Sequence, residues 1–203
     1  MKIICIGRNY ADHAKELKNE IPSEPVFFLK PDSALIQKGK PFFIPEFTND
    51  VHYEVEIVIK INKIGKHIEE RFAHKYFNEI GIGVDFTARD IQQEQKAKGL
   101  PWEKAKAFDG SAPVGDFISI EEIDDLNNLQ FGLKKNGQWV QKGNTQDMLF
   151  NVPKIISFVS QFFTLKIGDY IFTGTPAGVG PVAIGDELEA YIDDKCLLKV
   201  PIR

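Results

Sequence analysis

The chain has 203 residues, 43% of them hydrophobic, with a formal charge of −4 and a pI near 5.6. That length supports one domain with a substantial core and leaves little for a second, while the acidic balance removes nucleic acid and anionic membrane as general partners. Only Cys5 and Cys196 are present, far apart and without metal-ligand spacing, so neither a disulfide framework nor a zinc knuckle is expected. No apolar run has the length of a membrane span or of a signal peptide, and the chain reads as a soluble, cytoplasmic protein whose anionic ligands would need a local positive site.

In chain order, residues 2–6 predict a short strand ended by Gly7, and residues 11–17 a short helix, with Gly7-Arg8-Asn9-Tyr10 between them. On that helix His13 and Glu16 stand three apart and share a face, so the carboxylate can orient the imidazole and raise its basicity; a surface ion pair has the same spacing. The prolines and the run Val26-Phe27-Phe28-Leu29-Lys30-Pro31 predict extended segments joined by turns across residues 21–45.

Residues 51–61 predict a buried strand that carries two acidic side chains. Side chains alternate faces along a strand, so Glu54 and Glu56 point the same way, about 7 Å apart, and Val55, Ile57 and Ile59 point the other. Two like charges on one face of an apolar strand repel and lose hydration unless a cation or hydrogen-bond donors compensate. A hard divalent cation does both. An exposed face with solvated glutamates is the alternative.

A helix is predicted near residues 71–78, then a second buried strand over residues 80–85 that delivers Asp85 at its end. With the glutamate pair, Asp85 completes three carboxylates, a set suited to magnesium or manganese. The glycines of that strand, Gly81 and Gly83, lack the spacing of a dinucleotide fingerprint. Residues 92–98 continue as a polar helix to Gly99. Lys106 sits among Ala105, Ala107 and Phe108, either as a partly buried cation that meets an anionic intermediate or as a surface lysine with its stem on Phe108.

Residues 129–133 and 139–141 predict a hairpin with Asn136-Gly137 as its turn. Residues 152–163 predict a helix whose Ile155, Ile156, Phe158, Val159, Phe162 and Phe163 form an inward face. A strand at residues 170–172 opens the glycine-rich loop 173–181, whose N–H groups and Thr175 hydroxyl can hold a carboxylate. No lysine follows it in Walker spacing, so a nucleotide phosphate loop is not expected. Strands at residues 187–192 and 196–202 close the chain.

The ordered set Gly7-Arg8-Asn9-Tyr10, His13 with Glu16, Tyr53-Glu54-Val55-Glu56, Asp85-Phe86-Thr87-Ala88-Arg89-Asp90, Lys106-Ala107-Phe108-Asp109 and Thr173-Gly174-Thr175-Pro176-Ala177-Gly178-Val179-Gly180 resembles the fumarylacetoacetate hydrolase family, in its short acylpyruvase and oxaloacetate decarboxylase branch. The resemblance implies an α+β, predominantly β fold with a rolled mixed sheet and a few short helices, spanning residues 1–203 as a single catalytic domain with a short N-terminal lid, and a homodimer. It implies Mg2+ or Mn2+ on Glu54, Glu56 and Asp85, a water-activating dyad of His13 and Glu16, and Lys106 as stabiliser of an enolate. Arg8, Gln92 and Thr175 match positions that handle the carboxylate and oxo groups of a small 2-oxo or 2,4-dioxo acid. The implied activity is hydrolysis of acylpyruvates to pyruvate and a carboxylic acid. The alternatives are an oxaloacetate decarboxylase or tautomerase, and an isomerase or decarboxylase of 2-oxo-alkenedioates.

Overall fold

The computed structural model describes residues 1–17, 20–36 and 39–203. Its framework is a six-stranded mixed sheet in the order Val26–Lys30, Ile3–Gly7, Tyr170–Phe172, Val55–Ile61, Phe77–Val84 and Ile118–Ser119. Neighbours are antiparallel except for Ile3–Gly7 beside Tyr170–Phe172, which is parallel. Both faces of this sheet are covered. Ile4, Ile6, Val55, Ile57, Ile59 and Ile61 belong to a large apolar cluster, and Ile3, Cys5, Val58 and Phe172 to a smaller one. Burial on two sides explains why these strands read as nearly continuous apolar runs, and each such side chain contributes about 1.5–3 kcal/mol of transfer free energy.

A second, antiparallel sheet runs Gln138–Asn144, Gln130–Lys135, Glu187–Ile192 and Lys195–Pro201. Its Phe131, Leu133, Leu188, Ala190, Ile192 and Val200 join the same large cluster, so the two sheets share one core. The Asn136-Gly137 turn has φ of 53° and 79°, the left-handed pair that a two-residue hairpin of this twist requires. The helix Val152–Phe162 is started by Asn151, whose side chain accepts from Lys154 N at 3.0 Å. Val152, Ile155, Ile156 and Val159 are its buried face. Phe162 departs from the expected inward stripe, with 54% of its surface exposed.

The predominantly β fold with few short helices matches the expectation, with three local differences. Residues 71–78 form no α-helix: a 3-10 segment at Glu70–Lys75 is followed at Phe77 by the long strand, because Phe77 pairs with Ile61 across the sheet and that tertiary pairing overrides local propensity. The expected strand over residues 51–61 is two strands, Val51–Tyr53 and Val55–Ile61, broken at Glu54. There the backbone leaves the ladder: Val55 N donates to Gln141 Oε1 at 2.9 Å and Glu54 O accepts from Asp85 N at 2.8 Å. The polar helix starts earlier than expected, running Arg89–Lys98 and ending at left-handed Gly99. In the extended region, Val26–Lys30 and Leu35–Ile36 are strands, and Gln37 and Lys38 lie outside the described residues. Among the described residues no helix is long and apolar enough to cross a membrane.

Candidate metal centre and active site

The antiparallel pairing of Val55 with Val84 sets the geometry of the centre. One residue beyond that pair, the Asp85 N–H to Glu54 O bond at 2.8 Å brings Glu54 and Asp85 to the same end of the sheet. Glu56 lies two residues on and points to the same side, so that one oxygen from each of Glu54, Glu56 and Asp85 falls within 4.8 Å of the others. All three residues are buried, which removes the reading of a solvated glutamate face.

Three buried cations meet two of the three carboxylates, Glu54 and Asp85. Arg89 Nη2 donates to Glu54 Oε1 at 2.5 Å. Lys106 Nζ donates to Glu54 Oε2 and Asp85 Oδ2, each at 2.7 Å, and to Thr87 Oγ1 at 2.5 Å. Lys30, whose side chain is fully buried, lies 2.8 Å from Asp85 Oδ1. Lys30 Nζ also donates to Ser111 Oγ at 2.8 Å, to the Ser111 and Phe86 carbonyls, and to the Lys106 carbonyl. Lys106 is therefore no surface lysine, and the ring beneath its Nζ is Phe28, at 5.2 Å, instead of Phe108.

Burial opposes the charge on Glu54, but the Lys106 and Arg89 cations overcome it and hold its carboxyl below the usual carboxylate range. Burial opposes the Lys106 charge too, yet Asp85 and Glu54 hold its ammonium above its ordinary value. Glu56 differs. Burial, Asp85 and Glu54 together push its carboxyl well up, and the Gly174 N–H at 2.7 Å offsets only part of this. Among the described residues no ammonium or guanidinium pairs with Glu56. A divalent cation fits here: the donors are hard oxygens, each carboxylate keeps lone pairs for it, and it supplies the counter-charge Glu56 lacks.

The opposite wall comes from the short helix Ala11–Glu16 and the loop after Tyr170–Phe172. His13 is 6% exposed, and its Nδ1 lies 3.2 Å from Glu16 Oε2. Glu16 in turn accepts from Gly178 N at 3.1 and 3.3 Å, through its two oxygens. Gly178 has φ of 98°, and a Cβ there would meet Val140 O at 2.5 Å, so glycine alone suits this contact. Gly174 has φ of 101°, and its Cβ would fall 2.7 Å from Asn9 Cβ. The buried Asn9 side chain closes the joint: its Nδ2 donates to Thr173 O at 2.7 Å and Phe150 O at 3.0 Å, and its Oδ1 accepts from Phe150 N at 2.8 Å. One glycine loop thus touches Glu56 through Gly174 and Glu16 through Gly178.

One cleft is lined by Arg8, His13, Glu54, Glu56, Asp85, Gln92, Lys106 and Thr175, the sequence-selected residues other than Glu16, which stands behind His13. Arg8 leaves the first strand with φ of 59°, a left-handed residue at the cleft. Gln92 Oε1 accepts from Arg89 Nη1 at 2.6 Å, which leaves the amide NH2 end as a donor. Leu17, Phe28, Lys96 and Trp102 complete the walls. Sequence reasoning missed Lys30, Arg89 and Gln141. A lysine at the end of an apolar strand, and an arginine three residues before a selected glutamine, were available signals for the first two. Nothing local marked Gln141.

A β-rich fold whose sheet end gathers three carboxylates beneath a glycine loop defines an oxygen-ligand, cation-binding class of site. The chain belongs to the fumarylacetoacetate hydrolase family: the family model described as "Fumarylacetoacetate (FAA) hydrolase C-terminal" matches residues 2–203. It is 45% identical over 201 residues to a mouse (Mus musculus) protein named mitochondrial oxaloacetate tautomerase FAHD1, covering 99% of this chain and 91% of the relative. It is 47% identical over 192 residues to a Dictyostelium discoideum protein named mitochondrial oxaloacetate decarboxylase, covering 94% and 88%. The crystal structure of fumarylpyruvate hydrolase from Pseudomonas aeruginosa in complex with Mn2+ and pyruvate superposes with a TM-score of 0.94 at 34% identity, covering 100% of this chain and 89% of the other.

Proposed function

We propose that this chain is a Mg2+- or Mn2+-dependent enzyme that interconverts the keto and enol forms of oxaloacetate and decarboxylates it, with acylpyruvate hydrolysis as a secondary activity. The order is the reverse of the one drawn from the sequence. The observation that carries it is the charge of the buried centre. From the sequence, three carboxylates would exceed a divalent ion by one negative charge. In the fold, three buried cations, Lys30, Lys106 and Arg89, equal the three carboxylates in number, although their ion pairs go to Glu54 and Asp85. A bound divalent ion then leaves the buried centre with two positive charges and Arg8 at the cleft adds to that excess, which suits a 2-oxo dicarboxylate better than a monoanionic acylpyruvate. The tautomerase and decarboxylase names of the mouse and Dictyostelium relatives support the same substrate.

In this reading Glu54, Glu56 and Asp85 hold the ion, which when bound supplies Lewis acidity at the carboxylate and 2-oxo end of the substrate. Arg8, Gln92 and Thr175 present donors to that end. Lys106 offsets the charge that develops on the 2-oxo oxygen. For tautomerisation, His13 Nε2 takes a proton from C3, the electron pair moves to the 2-oxo oxygen, and a proton returned there completes the enol. Glu16 keeps the proton of the imidazole on Nδ1, which leaves Nε2 as the base. In decarboxylation the C3–C4 bond breaks instead, its electron pair reaches the same oxygen, carbon dioxide leaves, and protonation at C3 gives pyruvate. The dyad also supports the hydrolytic second reading: His13 takes a proton from water as its oxygen bonds to the 4-oxo carbon, the C3–C4 bond then breaks with its electron pair passing to the 2-oxo oxygen, and protonation at C3 gives pyruvate beside the carboxylic acid.

The test is turnover of oxaloacetate and acetylpyruvate side by side, first with metal-stripped protein and then with magnesium or manganese restored. Oxaloacetate is expected to be the better substrate, by enol absorbance and by pyruvate release, only with metal. Higher catalytic efficiency on acetylpyruvate would make hydrolysis the main activity. A single catalytic domain with its N-terminal lid, a homodimer and a cytoplasmic setting are parts of the same proposal, checked by limited proteolysis, light scattering and fractionation.

A further inference from the structure

Gln141 is 1% exposed on the strand Gln138–Asn144, outside the cleft, and its amide has all its visible partners inside the fold. Its Oε1 accepts from Val55 N at 2.9 Å, and a backbone N–H is only a donor, so the orientation of the amide follows from chemistry. The two Nε2 hydrogens then go to Thr175 Oγ1 and Pro176 O, both at 2.9 Å. Thr175, 3% exposed, lines the cleft beside the three carboxylates. Because its oxygen already accepts from Gln141, its own O–H has to donate elsewhere, and no acceptor for it exists among the described residues.

We propose that Gln141 is a positioning residue that fixes the Thr175 hydroxyl as a hydrogen-bond donor, so that the cleft selects an acceptor-only group, a carboxylate, at this point. The same amide ties Thr175 to Val55, the residue between Glu54 and Glu56. One side chain from the second sheet therefore sets the spacing between the cation ligands and the carboxylate-binding hydroxyl. Gly178 packs over it, its would-be Cβ only 3.4 Å from Gln141 Cγ, so the loop lies against this side chain as closely as a glycine allows. The inference rests on Thr175 as a substrate contact.

Both can be tested with oxalate, a planar dianion that resembles the carboxylate and 2-oxo end of the substrate, titrated by calorimetry into magnesium-loaded protein. Thr175→Val is expected to weaken oxalate about 10- to 100-fold, the size of one hydrogen bond to a charged group, and Thr175→Ser to restore it. Gln141→Met should give a loss of similar size with Mn2+ affinity unchanged, and the double variant Gln141→Met with Thr175→Val should bind no more weakly than Thr175→Val alone. If Gln141→Met does not fold, Gln141→Asn, whose amide is drawn back by one methylene, takes its place in the same cycle. Unchanged oxalate binding in Thr175→Val would overturn the substrate role of Thr175 and the inference with it. A weakened Thr175→Val beside an unaffected Gln141 variant, or a double variant in which the two losses multiply, would overturn the inference alone.

Discussion

The carboxylate centre and the His13–Glu16 helix face each other across one cleft but are built on opposite principles. The centre stands on ladder ends of a sheet covered on both faces, and each of Glu54 and Asp85 is held by two cations. The helix is six residues long, has no side-chain N-cap, and fixes its carboxylate through one backbone N–H, that of Gly178. An isolated helix of that length does not persist in water, so its geometry depends on tertiary contacts. The difference teaches that charge is stored where the framework is rigid, while the proposed base is carried on a short helix that tertiary contacts hold in place.

Removing one member of the rigid half should have the largest effect. Glu54→Gln takes away a proposed cation ligand and leaves Lys106 and Arg89 short of a negative partner in a buried site. Turnover is expected to be abolished on every substrate, with loss of Mn2+ binding and destabilisation of about 3–5 kcal/mol, the usual cost of breaking a buried pair. Denaturant melts and metal titration read the two consequences separately. Normal Mn2+ affinity in this variant would remove Glu54 from the ligand set.

His13→Ala, on the other side of the cleft, should cost about 10²- to 10⁴-fold in turnover, the range of a positioned general base. Mn2+ affinity and the melting temperature should stay near wild type, since no carboxylate of the centre touches His13 within hydrogen-bond distance. Full acetylpyruvate hydrolysis by this variant would exclude His13 as the base. A fall in metal affinity would show that the two halves are coupled more tightly than their contacts suggest.

How far these halves were legible in the sequence follows the same division. Glu54, Glu56 and Asp85 stood out because strand periodicity makes an acidic residue on a buried strand anomalous, the Asn136-Gly137 hairpin showed in its local turn chemistry, and the Val152–Phe162 helix in its apolar periodicity. The cations could not be placed in this way. Lys30 is 55 residues from Asp85, Lys106 is 52 from Glu54 and Gln141 is 86 from Val55, and no local pattern states such pairings. The start of the long strand at Phe77 was hidden for a related reason, since it depends on Ile61 across the sheet.

The pH dependence of metal binding should be more gradual and belongs to Glu56. Its raised carboxyl keeps its proton to higher pH than an ordinary carboxyl in the metal-free fold, and a cation held as proposed would take the carboxylate form, so loading would expel the proton. Mn2+ affinity is expected to rise by up to about tenfold per pH unit while Glu56 is protonated and to level off above its titration. For the metal-free protein the sign is opposite. A carboxyl raised above its unfolded value gives stability that is complete below the unfolded value and lost as pH rises through the folded one. Melts with and without metal across pH 4–8 should therefore diverge, roughly over the range in which a raised carboxyl titrates. Parallel curves would assign the proton elsewhere.

The smallest effect comes from two carboxylates on the same short helix. Asp12 pairs with Lys15 at 3.2 Å with both side chains largely in solvent, and such a pair is worth about 0–1 kcal/mol, so Asp12→Asn should leave stability and turnover within error. Glu16 has one backbone donor and one imidazole as partners, and Glu16→Gln removes the charge that favours the Nδ1–H form of His13 while its amide can still accept from Gly178 N. Turnover should fall, and the melting temperature should scarcely move. If Asp12→Asn and Glu16→Gln behave alike, the helix acts only as a cover for the cleft. If Glu16→Gln alone loses activity, the proton chemistry resides in the Glu16–His13 contact and the stability of the fold resides across the cleft from it.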